Sequence, residues 1–175
     1  MKKGIIISGN LAQDHEFIYP YYRLLEEGIK IDVCLLEGKP VQGILGTTLP
    51  PNKEQEVKKI EDIKTGDYDI LVLPGGVKAM EKVRQEKKII KFITEFNNQK
   101  KIIACICSGA QLLISAKVVS GRKIAGYYSM KDDLINAGAN YTDKPAVTDE
   151  NIITTAHYKD MGPWMKEALK VLHKQ

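Results

Sequence analysis

The sequence predicts an α/β fold in which helices cover both faces of a largely parallel sheet. Five short apolar runs rich in β-branched residues recur along the chain, and helical patterns lie between most of them. Runs that are apolar on both faces suit strands buried between helices. Strands that alternate with helices are joined by right-handed crossovers and pair in parallel. The chain has 175 residues and 43% hydrophobic content, so we expect a single domain spanning residues 1–175.

The strands and the longest connection follow from local composition. The predicted strands are residues 4–8, 29–36, 68–73, 101–105 and 152–155. Glycine and proline dominate residues 37–52, which predicts a loop or a small hairpin rather than a linker between domains.

The first helix is predicted from its caps. Asp14 is a good N-cap, Pro20 should bend the helix because it cannot donate a backbone hydrogen bond, and Gly28 should end it. Its expected apolar face consists of Phe17, Ile18, Tyr21, Leu24 and Leu25.

Three further helical regions are predicted. Residues 80–96 suit one or two helices, and residues 131–136 suit a short helix closed by Gly138. Pro163 marks the start of the last helix, which should place Trp164 against the body of the protein.

Charge and cysteine content restrict the functional classes. The 26 basic residues include only three arginines and lie scattered among 22 acidic ones, so we interpret them as a solvated surface and expect no nucleic-acid partner. No apolar run approaches the roughly 18 residues of a membrane span. The first apolar run stops at Ser8, so we expect no signal peptide and no membrane partner. Three cysteines without framework spacing favour a reducing, cytoplasmic location.

A strand-to-helix turn at Cys107 is the most informative segment. The strand should end near Cys105, and Ser108 followed by Gln111 matches a capping box before an apolar helical run. Cys107 then lies next to a helix N-terminus, where amide groups and the helix dipole favour a thiolate, so we expect a lowered thiol pKa.

Spacing favours Cys107 over Cys105 as the nucleophile. A nucleophile on such an elbow needs small residues two positions before and after it. Cys107 has Cys105 and Gly109 there, whereas Cys105 would have Ile103 and Cys107. The alternative interpretation is a buried core thiol without chemistry.

A glycine turn follows the third predicted strand. Pro74, Gly75 and Gly76 permit a turn whose amides point into the crevice at the carboxyl ends of the strands. Together with the Ser108 amide, these amides could form an oxyanion hole. A turn of this composition is otherwise ordinary structure.

Four ordered segments together resemble a known family. They are residues 16–23 (EFIYPYYR), 72–76 (VLPGG), 104–115 (ACICSGAQLLIS) and 131–138 (KDDLINAG). On them the chain is similar to the ThiJ/PfpI family of the class I glutamine amidotransferase-like superfamily, which includes intracellular cysteine proteases, protein deglycases and glyoxalases. The resemblance implies a flavodoxin-like three-layer sandwich, a homodimer or larger homo-oligomer, and no cofactor or metal.

The resemblance also assigns roles by position. It places Cys107 on the family nucleophile and Glu16 on the carboxyl group that contacts it, either as a proton donor or as a proton shuttle. Gly76 and Ser108 fall on the oxyanion amides, and Gly75 beside them is expected to bind the substrate. Tyr127 falls on an aromatic position next to the substrate.

Several positions depart from the protease-like members of the family. Those members carry a histidine directly after the cysteine, where this chain has Ser108, so Glu81 would lack the imidazole that its family counterpart orients. Gln13 replaces a further family acid. We expect His157, and less so His15, as the histidine that reaches the site from another segment.

Three functions remain open on the sequence. The leading hypothesis is a cysteine-dependent hydrolase or lyase acting on small reactive carbonyls or their adducts, including carbonyl-modified proteins. An intracellular cysteine peptidase is the alternative enzyme. A redox or stress sensor without turnover would use Cys107 with Cys105 as resolving thiol, and a metal site built from Cys105 and Cys107 is a weaker option because Cys-x-Cys supplies only two ligands.

Overall fold

The structure is a computed structural model that describes residues 1–174 of the chain. Its strands, numbered along the chain, are β1 Lys3–Ser8, β2 Lys30–Leu35, β3 Val41–Gln42, β4 Thr48–Leu49, β5 Val57–Lys58, β6 Ile70–Leu73, β7 Ile102–Ile106, β8 Lys123–Ile124, β9 Asn140–Tyr141, β10 Val147–Asp149 and β11 Ile152–Thr155. Its α-helices are α1 Asp14–Glu26, α2 Val77–Val83, α3 Lys87–Asn98, α4 Ala110–Ser115, α5 Lys131–Asn136 and α6 Met161–Leu172.

A seven-stranded sheet forms the centre of the fold, in the order β10-β11-β7-β6-β1-β2-β5. All pairs are parallel except β10 with β11 at one edge. On one face, α1 packs against α6, and on the other, α2 and α3 pack against α4. Because helices cover both faces, every residue of β6 and β7 is buried. The predicted three-layer α/β arrangement is confirmed.

The order of the strands brings four distant segments to one edge of the sheet. Neighbouring parallel strands β11, β7, β6 and β1 end at the same side. The segments that follow them carry His157, Cys107, Gly75 with Gly76, and Glu16 in α1. The crevice outside these carboxyl ends is where open α/β sheets place ligands.

All five predicted strands are present, although their ends differ by up to two residues. Residues 37–52 contain the antiparallel hairpin of β3 and β4, as expected. The region around 80–96 forms two helices, α2 and α3, and the short helix α5 ends before Gly138, which has φ 88°. Trp164 in α6 is fully buried and its Nε1 donates to the Ile153 carbonyl at 3.1 Å.

The N-cap of the first helix and the position of Leu25 differ from the prediction. Gln13, not Asp14, is the N-cap, because the Gln13 side chain accepts from the amides of His15 and Glu16. The Asp14 carboxylate instead accepts from the Leu45 and Thr47 amides at 2.7 and 2.9 Å, which anchors the hairpin to α1. Leu25, expected in the core, is 41% exposed, whereas Pro20 lies inside the helix and is buried.

Within the described part of the chain, no helix is both long and apolar enough to span a membrane.

Candidate active site

Cys107 lies on a sharp turn between β7 and α4. It begins a single 3₁₀ turn, Cys107–Gly109, and its φ of 59° is in the left-handed region that side chains other than glycine rarely adopt. Its carbonyl accepts from the Tyr127 amide at 3.1 Å. A Cβ at Gly109 would lie 2.6 Å from the Leu73 carbonyl oxygen, so the predicted need for a small residue two positions after the nucleophile is confirmed.

The capping box predicted from Ser108 and Gln111 is wrong. The residue before α4 is Gly109, which has helical dihedral angles and no side chain to cap the helix. The Ser108 hydroxyl is buried and has no conventional hydrogen-bond partner within residues 1–174. The Gln111 side chain accepts from Arg84 Nη1 at 3.4 Å. The two side chains are therefore directed to the site and to α2 rather than to the backbone of α4.

Glu16 is brought to Cys107 from the first turn of α1. The side chain is fully buried, and its Oε2 accepts from the Gly75 amide at 2.8 Å. Oε2 and the Cys107 thiol both lie against the Cα of Gly75, so the carboxyl group and the sulfur are neighbours. Oε1 is also buried and has no hydrogen-bond partner among residues 1–174.

Gly75 packs against both Glu16 and Cys107. A Cβ placed on Gly75 would collide with Glu16 Oε2 and would lie 2.8 Å from Cys107 Cβ and 3.0 Å from Sγ. Glycine at this position therefore permits the backbone to approach both reactive side chains.

Burial changes the proton affinity of both groups. It raises the pKa of Glu16 from 4.5 to about 7, although the Gly75 amide and the Cys107 thiol act in the opposite direction. Burial also raises the pKa of Cys107 from 9.0 to about 12; the negative charge of Glu16 adds to this, and the Ser108 amide and hydroxyl lower it in part. The lowered cysteine pKa expected from the helix terminus is thus overturned, because desolvation and a neighbouring carboxylate outweigh a few amides.

Because the pKa of Glu16 is raised, its carboxyl group can be protonated near neutral pH, and this is the state that favours ionisation of Cys107. A protonated Glu16 carries no charge to oppose a thiolate, and its O–H can donate to sulfur. Transfer of the thiol proton to Glu16 therefore moves a single negative charge from the carboxylate to sulfur and avoids a thiolate beside a carboxylate. The protonation of one group therefore affects the other.

Two backbone amides lie beside this pair. Gly76 has φ 103°, and a Cβ there would lie 2.5 Å from the Leu11 carbonyl oxygen, so only glycine fits the turn into α2. Gly76 and Ser108 both line the cavity above Cys107. Their role as an oxyanion hole stays a prediction.

The cavity above Cys107 has a volume of about 930 Å³. Among the residues predicted for the site, it is lined by Glu16, Gly76, Cys107, Ser108, Tyr127 and His157. Gln13 and Glu81 line it as well. Among residues 1–174 no three histidine, cysteine, aspartate or glutamate side chains are arranged to hold a metal ion.

Comparison with known proteins agrees with the motifs and this geometry. The family model described as DJ-1/PfpI family matches residues 2–171. The chain belongs to the DJ-1/PfpI family. It is 36% identical to the protein named deglycase PfpI of Pyrococcus furiosus over 97% of this chain and 99% of that one. It is 34% identical to the putative cysteine protease YraA of Bacillus subtilis over 98% of each chain.

A solved structure shows the same fold. The DJ-1/ThiJ/PfpI-like and ferritin-like two-domain protein of Anabaena variabilis superposes with a TM-score of 0.90 at 28% identity, over 99% of this chain and 48% of that one. The flavodoxin-like fold of the DJ-1/PfpI family is therefore confirmed here, as is the family inferred from the sequence motifs.

His157 is the histidine of this DJ-1/PfpI protein that borders the cavity. Its Nδ1 accepts from the Lys159 amide at 3.2 Å, which leaves the proton of a neutral ring on Nε2. The ring packs 4.0 Å from Tyr158 and 6.3 Å from Tyr127, centroid to centroid. His157 is thus oriented as a donor through Nε2 rather than as a base through Nδ1.

The structure separates His15 from the site. Its ring lies 5.6 Å from Tyr158, in a shallow groove over α1 that does not include Cys107. Glu81 borders the cavity without an adjacent imidazole, as expected from Ser108. Gln13 has a role that sequence reasoning missed. Its side chain caps α1, and its backbone N–H donates to the Gly75 carbonyl at 3.0 Å. This bond connects the start of α1, which carries Glu16, to the glycine turn.

Among the polar cavity residues that were also missed, four belong to α2, α4 and α5 or to their caps. They are Arg84, Gln111, Asp133 and Asn136. Their signal in the sequence was weak, because each lies on a helix whose polar positions suit a solvated surface equally well. Only the scarcity of arginine could have drawn attention to Arg84.

Proposed function

We propose that this DJ-1/PfpI protein is a cysteine-dependent deglycase or glyoxalase-like enzyme that removes small reactive carbonyls from thiols and amines. The observation that carries the proposal is that the Cys107 thiol and the buried carboxyl group of Glu16 lie side by side against Gly75, at the base of an open cavity. The similarity to proteins named deglycases supports this choice of reaction.

The first step assigns each group a role. Cys107 transfers its proton to Glu16 and Sγ adds to the carbonyl carbon of the substrate, which converts the carbonyl oxygen to an oxyanion. Gly76 and Ser108 line this space, and their amides would hold the oxyanion. The carbon attacked is the aldehyde carbon that the adduct exposes when its thiol or amine departs. Glu16 would then move the hydrogen of that carbon as a proton to the adjacent carbonyl carbon, which leaves a Cys107 thioester of the 2-hydroxy acid, and water would hydrolyse this thioester.

The overall reaction balances without an external oxidant or metal. An α-oxoaldehyde adduct of a thiol or amine plus water gives the free thiol or amine and a 2-hydroxy acid. The aldehyde carbon is oxidised while the adjacent carbonyl carbon is reduced. His157, which can donate through Nε2, is placed at the cavity to assist the departing group.

The size of the cavity suits a small adduct. About 930 Å³ lies within the range of roughly 300 to 1,000 Å³ that is typical of small-molecule sites. Tyr127 and His157 form one wall, where they can contact the part of the substrate that does not react.

Replacement of the nucleophile tests the proposal. Cys107→Ala should reduce the breakdown of the methylglyoxal adduct of N-acetylcysteine to the uncatalysed rate, measured as released thiol and lactate. Cys34→Ala, on β2 and away from the cavity, is the matched control and should retain turnover. Equal activity of Cys107→Ala and the control would contradict the proposal.

A peptidase is the second candidate, favoured by the similarity to a putative cysteine protease. The site offers it no imidazole directly after Cys107, and His157 has its Nδ1 occupied. Cleavage of a denatured protein that disappears in Cys107→Ala would favour this function over carbonyl chemistry.

A redox sensor without catalytic turnover is the third candidate function. Cys105, the suggested resolving thiol, is buried beneath Gly109, and burial raises its pKa, so it is a poor partner for disulfide exchange. Selective oxidation of Cys107 by mild peroxide, found by mass spectrometry together with no carbonyl turnover, would favour sensing.

A further inference from the structure

Arg84 brings a positive charge to the cavity above Cys107. It is the C-cap of α2 and lies half-buried against α4. Its Nε donates to Ser115 Oγ at 2.9 Å and its Nη1 donates to Gln111 Oε1 at 3.4 Å. A guanidinium has five N–H donors, so three are left after these two bonds.

The positive charge of Arg84 has no ion-pair partner within residues 1–174. Within residues 1–174, no carboxylate lies within 4.0 Å of the Arg84 guanidinium. Arg84 is also the sole lysine or arginine among the described residues that line the cavity. The two hydrogen bonds to α4 hold the guanidinium in place, which reduces the entropy lost when it binds an anion.

The position of Arg84 sets the length of the ligand. Gln111, which holds the guanidinium, follows Cys107 by four residues, or about 6 to 8 Å along the chain direction at helical rises of about 1.5 to 2.0 Å per residue. A bare dicarbonyl that reacts at Sγ carries no anionic group for the guanidinium to bind. An adduct that carries an anionic group several bonds from the reacting carbon is long enough.

The neighbouring acids select the kind of anion. Glu81 and Asp133 also line the cavity, and both side chains are exposed. Their negative charges oppose a dianion such as a phosphate ester more than a single carboxylate. The planar guanidinium suits a carboxylate, which can accept two parallel hydrogen bonds.

We infer that Arg84 is a specificity-determining residue that binds a carboxylate of the substrate, so that the preferred substrates are carbonyl adducts of small carboxylate-bearing thiols or amines. This inference rests on the proposed function of Cys107 and names the substrate class for it.

Two matched substrates test the inference. The methylglyoxal adducts of N-acetylcysteine and of N-acetylcysteine amide differ only in carboxylate against carboxamide. In Arg84→Met we expect the KM of the carboxylate adduct to rise about tenfold or more, as for loss of a charged hydrogen bond. The kcat of both adducts and the KM of the amide adduct should stay near wild-type values, and Arg84→Lys should recover part of the lost preference.

Equal effects of Arg84→Met on both adducts would overturn the inference, because they would mean that Arg84 only joins α2 to α4. A second measurement separates this outcome from failure of the proposed function. N-acetylmethionine, an unreactive thioether with the same carboxylate, should bind the wild type more tightly than N-acetylmethionine amide in calorimetric titrations, and Arg84→Met should abolish the difference. If neither adduct is turned over, this binding difference still supports the carboxylate site, and its absence overturns it.

Discussion

At the scale of single residues, the burial of Glu16 beside Cys107 is the central property of the site. Rules that use only neighbours in sequence predict an ionised cysteine at a helix N-terminus. In the folded protein, Cys107 is half-buried and Glu16 approaches it from 91 positions earlier in the chain. The direction of a pKa shift therefore depends on burial and a distant charge, which no local pattern contains.

Glu16 should make the stability of the protein depend on pH. Its pKa is raised by burial from 4.5 to about 7, so the folded state binds this proton more tightly than the unfolded state. The free energy of unfolding should fall as pH rises from 4.5 to 7, by on the order of 3 kcal/mol at about 1.4 kcal/mol per pH unit. Urea unfolding followed at several pH values measures this.

Glu16→Gln removes the titrating group and should flatten this part of the stability profile. The exposed Glu54→Gln is the control and should keep the wild-type slope. A profile that is unchanged in Glu16→Gln would show that another group causes the dependence. Because glutamine cannot accept the thiol proton, the same variant should also lose turnover of the carbonyl adduct.

At the scale of elements, the glycine turn after β6 is more constrained than its composition suggests. Gly75→Ala would push a methyl group against Glu16 and Cys107. We expect a loss of about 1 to 3 kcal/mol in the free energy of unfolding, as for overpacked cores, together with strongly reduced turnover. Gly66→Ala, at a turn where a Cβ would meet nothing within 4 Å, is the matched control. Wild-type turnover in Gly75→Ala would contradict the tight geometry.

The hairpin of β3 and β4 depends on a single side chain from α1. Asp14 accepts from the Leu45 and Thr47 amides, and Ile44, directly before Leu45, borders the cavity. Asp14→Ala leaves two amides without this acceptor, so it should cost about 2 to 3 kcal/mol in chemical unfolding and raise the KM of the adduct. The exposed Asp143→Ala should have little effect on either quantity. A similar loss in both variants would indicate a general effect of charge.

Sequence patterns identified elements better than their ends. The central strands were predicted because each is a continuous apolar run, as in β7, where all five residues are buried. The edge strands β5 and β10 were missed because Val57–Lys58 and Val147–Asp149 are short and acquire strand geometry from their partners. Asp14 and Ser108 were both taken for caps, since the competing amides and the buried site that engage them come from other parts of the chain.

At the scale of the whole molecule, the site is a product of strand order. The segments that follow four neighbouring strands carry Cys107, Glu16, the glycine turn and His157, and these strands end at the same edge of the sheet. The sequence indicated Cys107 and the turn from local motifs, and the family resemblance supplied Glu16. Arg84 could not be predicted, because its importance depends on a cavity formed between α2, α4 and α5.

Trp164 gives a test of how the whole molecule unfolds. It is the only tryptophan in the sequence, and it is fully buried between α6 and the sheet. Because α6 packs on both α1 and the central strands, the fluorescence of Trp164 should change together with the far-ultraviolet circular dichroism in a denaturant titration. Two separate transitions would mean that α6 detaches before the sheet unfolds.

The left-handed backbone of Cys107 places stability and chemistry in conflict. With φ 59°, this position favours glycine by roughly 1 kcal/mol over a residue with a side chain. In a library screened for cellular abundance alone, glycine should therefore become enriched at position 107, whereas a screen for survival under carbonyl stress should retain cysteine. The difference between the two screens would report directly how much of the selection on this position is for reactivity.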